Sequence, residues 1–458
     1  MNFNKKLAIA VSGAVMLMAG QFALADITSD IVDALVGKGV LTEEEGKLIT
    51  KGHESAKSKA AKVVDKNGAL SLSSADGKST MAIAGRIQLD SRHYSNHDGR
   101  HTSNSDGFDV RRAYLGVSGT IAKYYDYKIV GNFANGDNPS GNSSTDKSHQ
   151  LDEAFFGINF WKEASFRFGQ QKMPFSLEEQ TSSRFTDFQE RSMLNKYVPA
   201  KEIGVQIHGV FGNGVFYGAA VSSGEGLNKI EGTTSDSNDV IGRVGINFAE
   251  AVGNKDNVYH LAIAGSSGAQ GSQTMAAGYN SEEKGSSFIS QTIIGNRDRL
   301  GLEGAIALGS VKIQSEYIQN NYSKVQAISN GKASGSDIDI DGYYVAATWL
   351  LTGEKYASAY KAGKFDRISP NKNFNPDDMS AGLGAWEIGA RYSYVDASDI
   401  GYTNTSYDKA NAYTLGLKWI PSPYVRFLLN YVNTEGEKAN GGGDLNQKAL
   451  TLRTQLDF

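Results

Sequence analysis

Residues 447–458 read QKALTLRTQLDF, a short stretch with two distinct faces. Lys448, Leu450, Leu452, Thr454, Leu456 and Phe458 share one side of an extended chain, and Arg453 and Asp457 lie on the other. Successive side chains of a strand point to opposite faces, so the stretch is a strand with one apolar and one polar face. In a soluble sandwich the apolar face is core. In a membrane barrel it meets lipid while the polar face looks into water. Alternation alone fits both settings.

Working back from that end, the same period recurs. Met81, Ile83, Gly85, Ile87 and Leu89 alternate with Ala82, Ala84, Arg86, Gln88 and Asp90. Sixteen such windows are expected, near 79–90, 108–121, 124–135, 151–160, 164–171, 203–211, 214–223, 239–248, 257–266, 299–308, 311–320, 340–350, 384–397, 411–420, 423–433 and 447–458. Their connections alternate long and short: 91–107 long, 122–123 short, 136–150 long, 161–163 short. An even strand number with turns on one side and loops on the other is the outer-membrane barrel layout. The connection 351–383 breaks the alternation, being long on the turn side. Tyr124, Tyr125, Tyr127, Trp161, Trp419, Tyr424 and Tyr431 stand near strand ends or on outward positions, where interfacial girdles form.

Composition agrees. The 458 residues include 52 Gly, 22 Tyr and 20 Phe but only 7 Pro and no Cys, which excludes disulfides and thiolate metal sites. Lys5 and Lys6, an apolar core over 7–19 and Ala23-Leu24-Ala25 predict a secretory signal cleaved after Ala25. Its loss takes the formal charge from −4 to −6, because it holds two lysines and no acid. That balance, without a basic arm, argues against nucleic acid as a partner. Residues 27–64 have helical spacing with a break at Gly37-Lys38-Gly39, and Thr42 with Glu45 reads as a capping box. This segment is expected to be a periplasmic extension, or a loosely helical spacer.

Between the fifth and sixth strands runs FRFGQQKMPFSLEEQTSSRFTDFQERSMLNKYVPAKEIG, Phe166 to Gly204. Its aromatic and aliphatic residues (Phe175, Leu177, Phe185, Phe188, Met193) are not a disordered composition. A loop this long is expected to pack inside something hollow. PFSLEEQTSSRFTDFQERSM closely resembles the inward-folded loop of the phosphate-selective porin O/P family of bacterial outer membranes. FDVRRAYLGVSGTIAKYYDYKIVGNFA, LLTGEKYASAYKAGKFDRISPNKNF, GAWEIGARYSYVDASD and the C-terminal strand agree in order and spacing. The resemblance implies a trimer, a Gram-negative source and an arginine ladder leading phosphate inwards, with Arg86 and Arg112 as ladder residues. A terminal aromatic, Phe458, resembles the signal read by the barrel assembly machinery.

Taking the less apolar face of each strand as lumenal gives Arg86, Arg112, Lys128, Arg167, Lys312, Arg391, Lys418, Arg426 and Arg453 against Asp90, Glu153, Glu303, Glu316, Glu387 and Asp457. The excess of cations favours anions. Arg111 is expected on the opposite face from Arg112, near the outer rim. In the constriction loop Thr181, Ser182, Ser183, Arg184 and Arg191 offer donors. Glu179 stands where phosphate-selective members carry a lysine, and a carboxylate there repels phosphate. A Glu179–Arg184 or Glu190–Arg191 bridge holding the loop is the structural alternative. If Glu179 points into the lumen, Glu179→Lys raises anion permeability.

Among the histidines, His93, His97 and His101 are spaced for a metal, but SRHYSNHDGRHTSN reads as an outer loop. No nucleophile elbow, P-loop or H-E-x-x-H motif is present, so the chain is not read as an enzyme, and no cofactor or metal is implied. The expectation is all-β: a 16-stranded antiparallel transmembrane β-barrel with a short N-terminal helical periplasmic extension. It divides into a signal peptide (1–25), the helical extension (26–66) and the barrel (67–458), whose inward loop spans about 172–202. It lies among outer-membrane lipids and passes small anions such as phosphate. The alternatives are a general small-solute porin and, further off, a sheath holding a partner protein across the membrane. A sheath would lack an inward plug.

Overall fold

The computed structural model describes residues 27–66, 69–96, 106–134, 150–224, 226–228, 238–276, 279–283, 287–289, 292–328, 335–401, 407–438 and 445–458. The leader expected at 1–25, with His97 and His101, lies outside the described residues. The described residues form two compact units, one within 27–64 with 71–81 and the other within 65–70 with 82–458.

The first unit holds α1 (Ile27–Gly37) and α2 (Glu43–Lys59). The chain turns at Gly39, in the left-handed region at φ 69°. The Thr42 N–H donates to Glu45 Oε2 at 2.9 Å and the Glu45 N–H to Thr42 Oγ1 at 3.2 Å, a closed capping box. Gly46 lets the helices touch, since a Cβ there would lie 2.7 Å from Val36 Cγ2.

The second unit is a closed antiparallel barrel of sixteen strands. In chain order these are β1 (Thr80–Asn96), β2 (Gly107–Ile121), β3 (Tyr125–Asn132), β4 (Gln150–Trp161), β5 (Ala164–Lys172), β6 (Lys201–Val210), β7 (Val215–Ser222) and β8 (Asp239–Asn247). They continue as β9 (Asn257–Ala276), β10 (Thr292–Leu308), β11 (Val311–Ile328), β12 (Ile338–Leu350), β13 (Ala385–Asp396), β14 (Tyr407–Ser422), β15 (Val425–Lys438) and β16 (Leu445–Asp457). All sixteen expected strands are present, several of them longer than the sequence pattern suggested. Consecutive strands pair, and β16 pairs with β1 from Gln447↔Asn96 to Asp457↔Arg86. The Gly85 N–H donates to the Phe458 carbonyl at 2.7 Å and the Phe458 N–H to the Gly85 carbonyl at 3.1 Å, completing the seam. Closure matters physically because an open edge would leave backbone groups unpaired in hydrocarbon.

The faces are inverted relative to a soluble protein. On β16, Leu450, Leu452, Leu456 and Phe458 are exposed while Gln447, Thr451, Arg453, Gln455 and Asp457 are buried. Arg86, Arg297, Arg426 and Arg453 are among the largest fully buried side chains. Buried arginines with exposed leucines exclude the soluble sandwich. Aromatic contacts mark both ends of the wall. On the turn side Tyr124 and Trp161 flank Phe160 at 5.4 and 5.8 Å, and Trp419 stacks between Trp386 (5.6 Å) and Phe427 (5.3 Å). On the loop side Tyr392 meets Tyr413 at 4.9 Å and Tyr343 meets Tyr394 at 5.7 Å.

Two connections fold inward from opposite ends. Residues 173–200, including α3 (Leu177–Gln180), enter from the loop side. Residues 351–384 enter from the turn side through a 3₁₀ turn, Tyr356–Ala359, and a small hairpin pairing Tyr360–Lys361 with Lys364–Phe365. This insertion explains why the connection is long on the turn side. Leu177 of the first insertion and Tyr356, Ala359, Phe365 and Ile368 of the second share one apolar cluster with Val258, Ala307, Leu350 and Ile420 of the wall.

Candidate functional site: the constricted lumen

The inward loop is seated by shape and by charge. Met173, Phe175 and Leu177 have no solvent exposure, and Phe188, Met193 and Leu194 almost none. Phe188 lies over two wall glycines, where a Cβ at Gly416 would come 3.0 Å and one at Gly389 3.2 Å from its ring. Phe175 lies over Gly301 in the same way, at 2.8 Å. Interior glycines on strands therefore mark where the loop touches the wall. Glu316 of β11 accepts the backbone N–H groups of Leu177 (3.0 Å) and Glu178 (2.7 Å). Lys312 Nζ donates to Asp187 at 2.7 Å and sits over the rings of Tyr356 (4.8 Å) and Phe365 (4.3 Å), joining the wall to both insertions.

At the seam, Gln88 of β1 donates to the Ser183 carbonyl (3.2 Å) and Gln455 of β16 to the Arg184 carbonyl (3.1 Å). Arg453 binds Asp90 through Nε (2.6 Å) and Nη2 (2.7 Å), and Nη2 also reaches Glu190 at 2.7 Å. Arg111 Nε donates to Glu190 at 2.9 Å. Charge-assisted, near-planar contacts of this kind fix geometry as well as add energy.

Beside the loop lies a cavity of about 740 Å³. Its lining contains eleven basic side chains: Arg86, Arg112, Lys128, Lys172, Arg184, Arg191, Lys196, Lys201, Arg297, Arg299 and Lys364. Five acids face them: Asp152, Glu153, Glu179, Glu202 and Asp366. Arg86 stacks on Tyr114 at 4.4 Å and donates to Ser183 Oγ at 3.0 Å; Arg112 donates to Gln88 at 3.0 Å. Arg184 approaches Asp457 at 3.8 Å, its one ion pair among the described residues, and keeps a quarter of its side chain accessible. Ser182 and Ser183 add hydroxyls to the same wall. Glu179 is buried, 2.8 Å from Arg191 and 3.4 Å from Lys172, with Asn195 donating at 2.9 Å. Burial by itself would raise its carboxyl pKa; Arg191 and then Lys172 outweigh burial and hold it below the ordinary value.

Several expected residues are placed otherwise. Arg111 does not sit at the outer rim. Phe108, Val110 and Leu115 face outward while Arg111 and Arg112 are both buried, so the alternation of β2 shifts by one between them and both arginines face inward. Glu179 bridges to Arg191, not Arg184, and Glu190 bridges to Arg111 and Arg453, not Arg191. Arg391 is buried between Glu178 (3.1 Å) and Glu282 (2.7 Å), Lys418 on Glu387 (2.7 Å), and Arg453 on Asp90, all away from the cavity lining. Arg426 lies under the Phe185 ring at 4.8 Å. Arg167 faces Asp126 at 3.8 Å and the Phe155 ring at 4.9 Å. The Thr181 carbonyl accepts from Arg191 at 2.8 Å, and its side chain is buried. Arg86, Arg112, Lys128, Glu179, Ser182, Ser183, Arg184 and Arg191 line the cavity itself. Tyr424 supports Arg367 at 5.5 Å. Sequence reasoning missed Arg297, because it started β10 at residue 299, and passed over Arg299 although it shares the face of Glu303 within that window.

The model of the family described as "Phosphate-selective porin O and P" matches residues 81–458. Porin O of Pseudomonas aeruginosa is 27% identical over 430 residues, covering 86% of this chain and 92% of the relative. An uncharacterised protein of Caulobacter vibrioides is 31% identical over 121 residues, 26% of this chain and 23% of its own length. Among solved structures, the outer-membrane channel DcaP of Acinetobacter baumannii superposes with a TM-score of 0.53 at 11% identity, covering 83% of this chain and 97% of its own. OmpT of Vibrio cholerae gives 0.50 at 11%, covering 87% and 100%. At those identities the structures speak to the fold. A closed barrel with an inverted surface, a lumen narrowed by its own loop and a family match across nearly all of it converge: the chain is an outer-membrane porin channel and belongs to the phosphate-selective porin O and P family.

Proposed function

We propose that this porin favours anions, and that phosphate is drawn to the cavity face built by Arg86, Arg112 and Arg184 with Ser182 and Ser183. The observation that carries the reading is the cavity lining, eleven cations against five carboxylates. Fixed charges around a narrow, low-dielectric passage set ion preference. Guanidinium groups and hydroxyls together supply the several donors a tetrahedral oxyanion takes up. The Glu179 departure weighs less than the sequence alone implies, because Arg191 and Lys172 neutralise that carboxylate. The loop that fills the lumen counts against a sheath for a partner protein.

The same reading takes in the rest of the chain. The leader is cleaved after Ala25, residues 26–66, helical as far as Lys59 and extended rather than helical over Lys62–Lys66, form a periplasmic extension, Phe458 addresses the chain to the barrel assembly machinery, and the assembly is a homotrimer, as the family resemblance implies. The test is the reversal potential of the purified protein in a planar bilayer under a KCl gradient, with added phosphate as competitor. A chloride-directed potential with phosphate block is expected. A cation-directed potential without block would make this a general small-solute porin.

A further inference from the structure

A third segment reaches into the lumen from the loop side. Between β9 and β10, Tyr279-Asn280 pairs with Ser287–Ile289 in a small hairpin. Next to it, Ser281, Glu282 and Glu283 are buried. The Glu282 carboxylate is received by three donors of the barrel wall. Arg391 Nη2 and Thr414 Oγ1 each donate to Oε2 at 2.7 Å, and the Ser393 hydroxyl donates to Oε1. All three come from adjacent strands, β13 and β14, and all are buried. Arg391 is fixed independently of Glu282, since its Nη1 donates to Glu178 at 3.1 Å, its Nη2 also to the Glu190 carbonyl at 3.1 Å, and its guanidinium covers the Phe188 ring at 4.8 Å. The guanidinium thus stays in place whether or not Glu282 is there, and Ser393 and Thr414 are carried by paired strands of the wall.

We propose that Arg391, Ser393 and Thr414 form a carboxylate-binding site in the channel wall, which Glu282 occupies as a tethered stopper. A guanidinium and two hydroxyls aimed at both oxygens of one carboxylate are a built receptor for that group. The site differs from the basic cavity: none of its three residues lines that space. It rests on the porin being a channel and not on phosphate preference. A small free carboxylate entering from the loop side meets donors already satisfied by an internal copy of itself. Tethering through a short linker gives the resident carboxylate a millimolar or higher effective concentration, so a free competitor acts only above that level. Competition lifts the hairpin from the wall, so the same exchange widens the mouth.

The experiment compares wild type with Glu282→Ala and Glu282→Gln in planar bilayers, reading single-channel conductance and current noise in KCl as sodium acetate is added, with sodium nitrate as the control salt. Both variants are expected to conduct more than wild type. Acetate-dependent noise should appear in Glu282→Ala at concentrations at least roughly tenfold lower than in wild type, as expected once the internal competitor is gone. Adding Ser393→Ala and Thr414→Ala to Glu282→Ala should abolish the acetate response while the raised conductance persists. Acetate acting equally on wild type and Glu282→Ala, or no more than nitrate, would overturn the site, as would an acetate response that survives loss of both hydroxyls. Phosphate block is measured in the same recordings, so loss of the phosphate reading and loss of this one appear separately.

Discussion

Glu179→Gln tests whether the basic cavity is the conduction path. The change keeps the side-chain volume and removes one of five carboxylates from a lining with eleven cations. For a monovalent ion passing at roughly 8 Å in an effective dielectric near 20, one unit charge is worth about 2 kcal/mol. Screening at 0.1 M salt, where the Debye length is about 10 Å, reduces this to about 1 kcal/mol. An anion gains that amount and a cation loses it, a difference of about 2 kcal/mol, so the anion-to-cation permeability ratio should rise roughly twentyfold to thirtyfold. Reversal potential in a tenfold KCl gradient reads this directly. A wild-type potential in a channel of wild-type conductance would refute the reasoning, because the cavity would then not limit the current. Glu179→Lys is the poorer probe. Both substitutions break the buried pairs with Arg191 and Lys172, at roughly 3–5 kcal/mol, but the lysine adds the repulsion of a third cation in the same buried setting. The expected result is a misdocked loop with erratic conductance rather than a cleanly more selective pore.

Other outcomes follow from the same geometry. Arg184→Ala should weaken phosphate block by roughly tenfold while leaving conductance in KCl near wild type, measured as the half-blocking concentration. Lys312→Met removes the cation shared by Asp187, Tyr356 and Phe365; open-channel noise should rise and the heat-denaturation midpoint of the barrel should change little, since the strand ladder is untouched. Gly416→Val should expel Phe188, and Phe188→Ala in that background should restore the wild-type conductance distribution, a coupling read by a double-mutant cycle. Glu179 has a lowered pKa, so its hold on the loop is complete above the ordinary carboxylate value and is lost as pH falls through the lowered one; acid-induced noise should shift in Glu179→Gln.

The strands were legible because lipid and water impose period two on every one of them, and the inverted surface follows from the same rule. Arg111 was misread because a one-residue shift in the alternation of a strand leaves no mark in composition; only the pair of adjacent arginines hinted that both faced water. The partner of Glu179 was misread because Arg184 is the nearer arginine in sequence, whereas the folded path of the loop brings back the more distant Arg191. The span 351–384 showed its length but not its direction of entry. Glu282 gave no signal at all. Its partners Arg391 and Thr414 lie over a hundred residues away, and pairing across a closed barrel cannot be seen in local pattern.

The hydrogen bonds at the seam bear on how the molecule is made. Gln88 and Arg453 belong to the first and last strands, which meet only when the barrel closes. Together with Gln455 and Asp90 they grip the loop backbone at Ser183 and Arg184 and its carboxylate at Glu190. The aperture is therefore assembled from the two ends of the polypeptide. A barrel still unzipped between β16 and β1 does not bring these groups together around the loop, so the complete restriction exists only in a molecule whose circumference is closed.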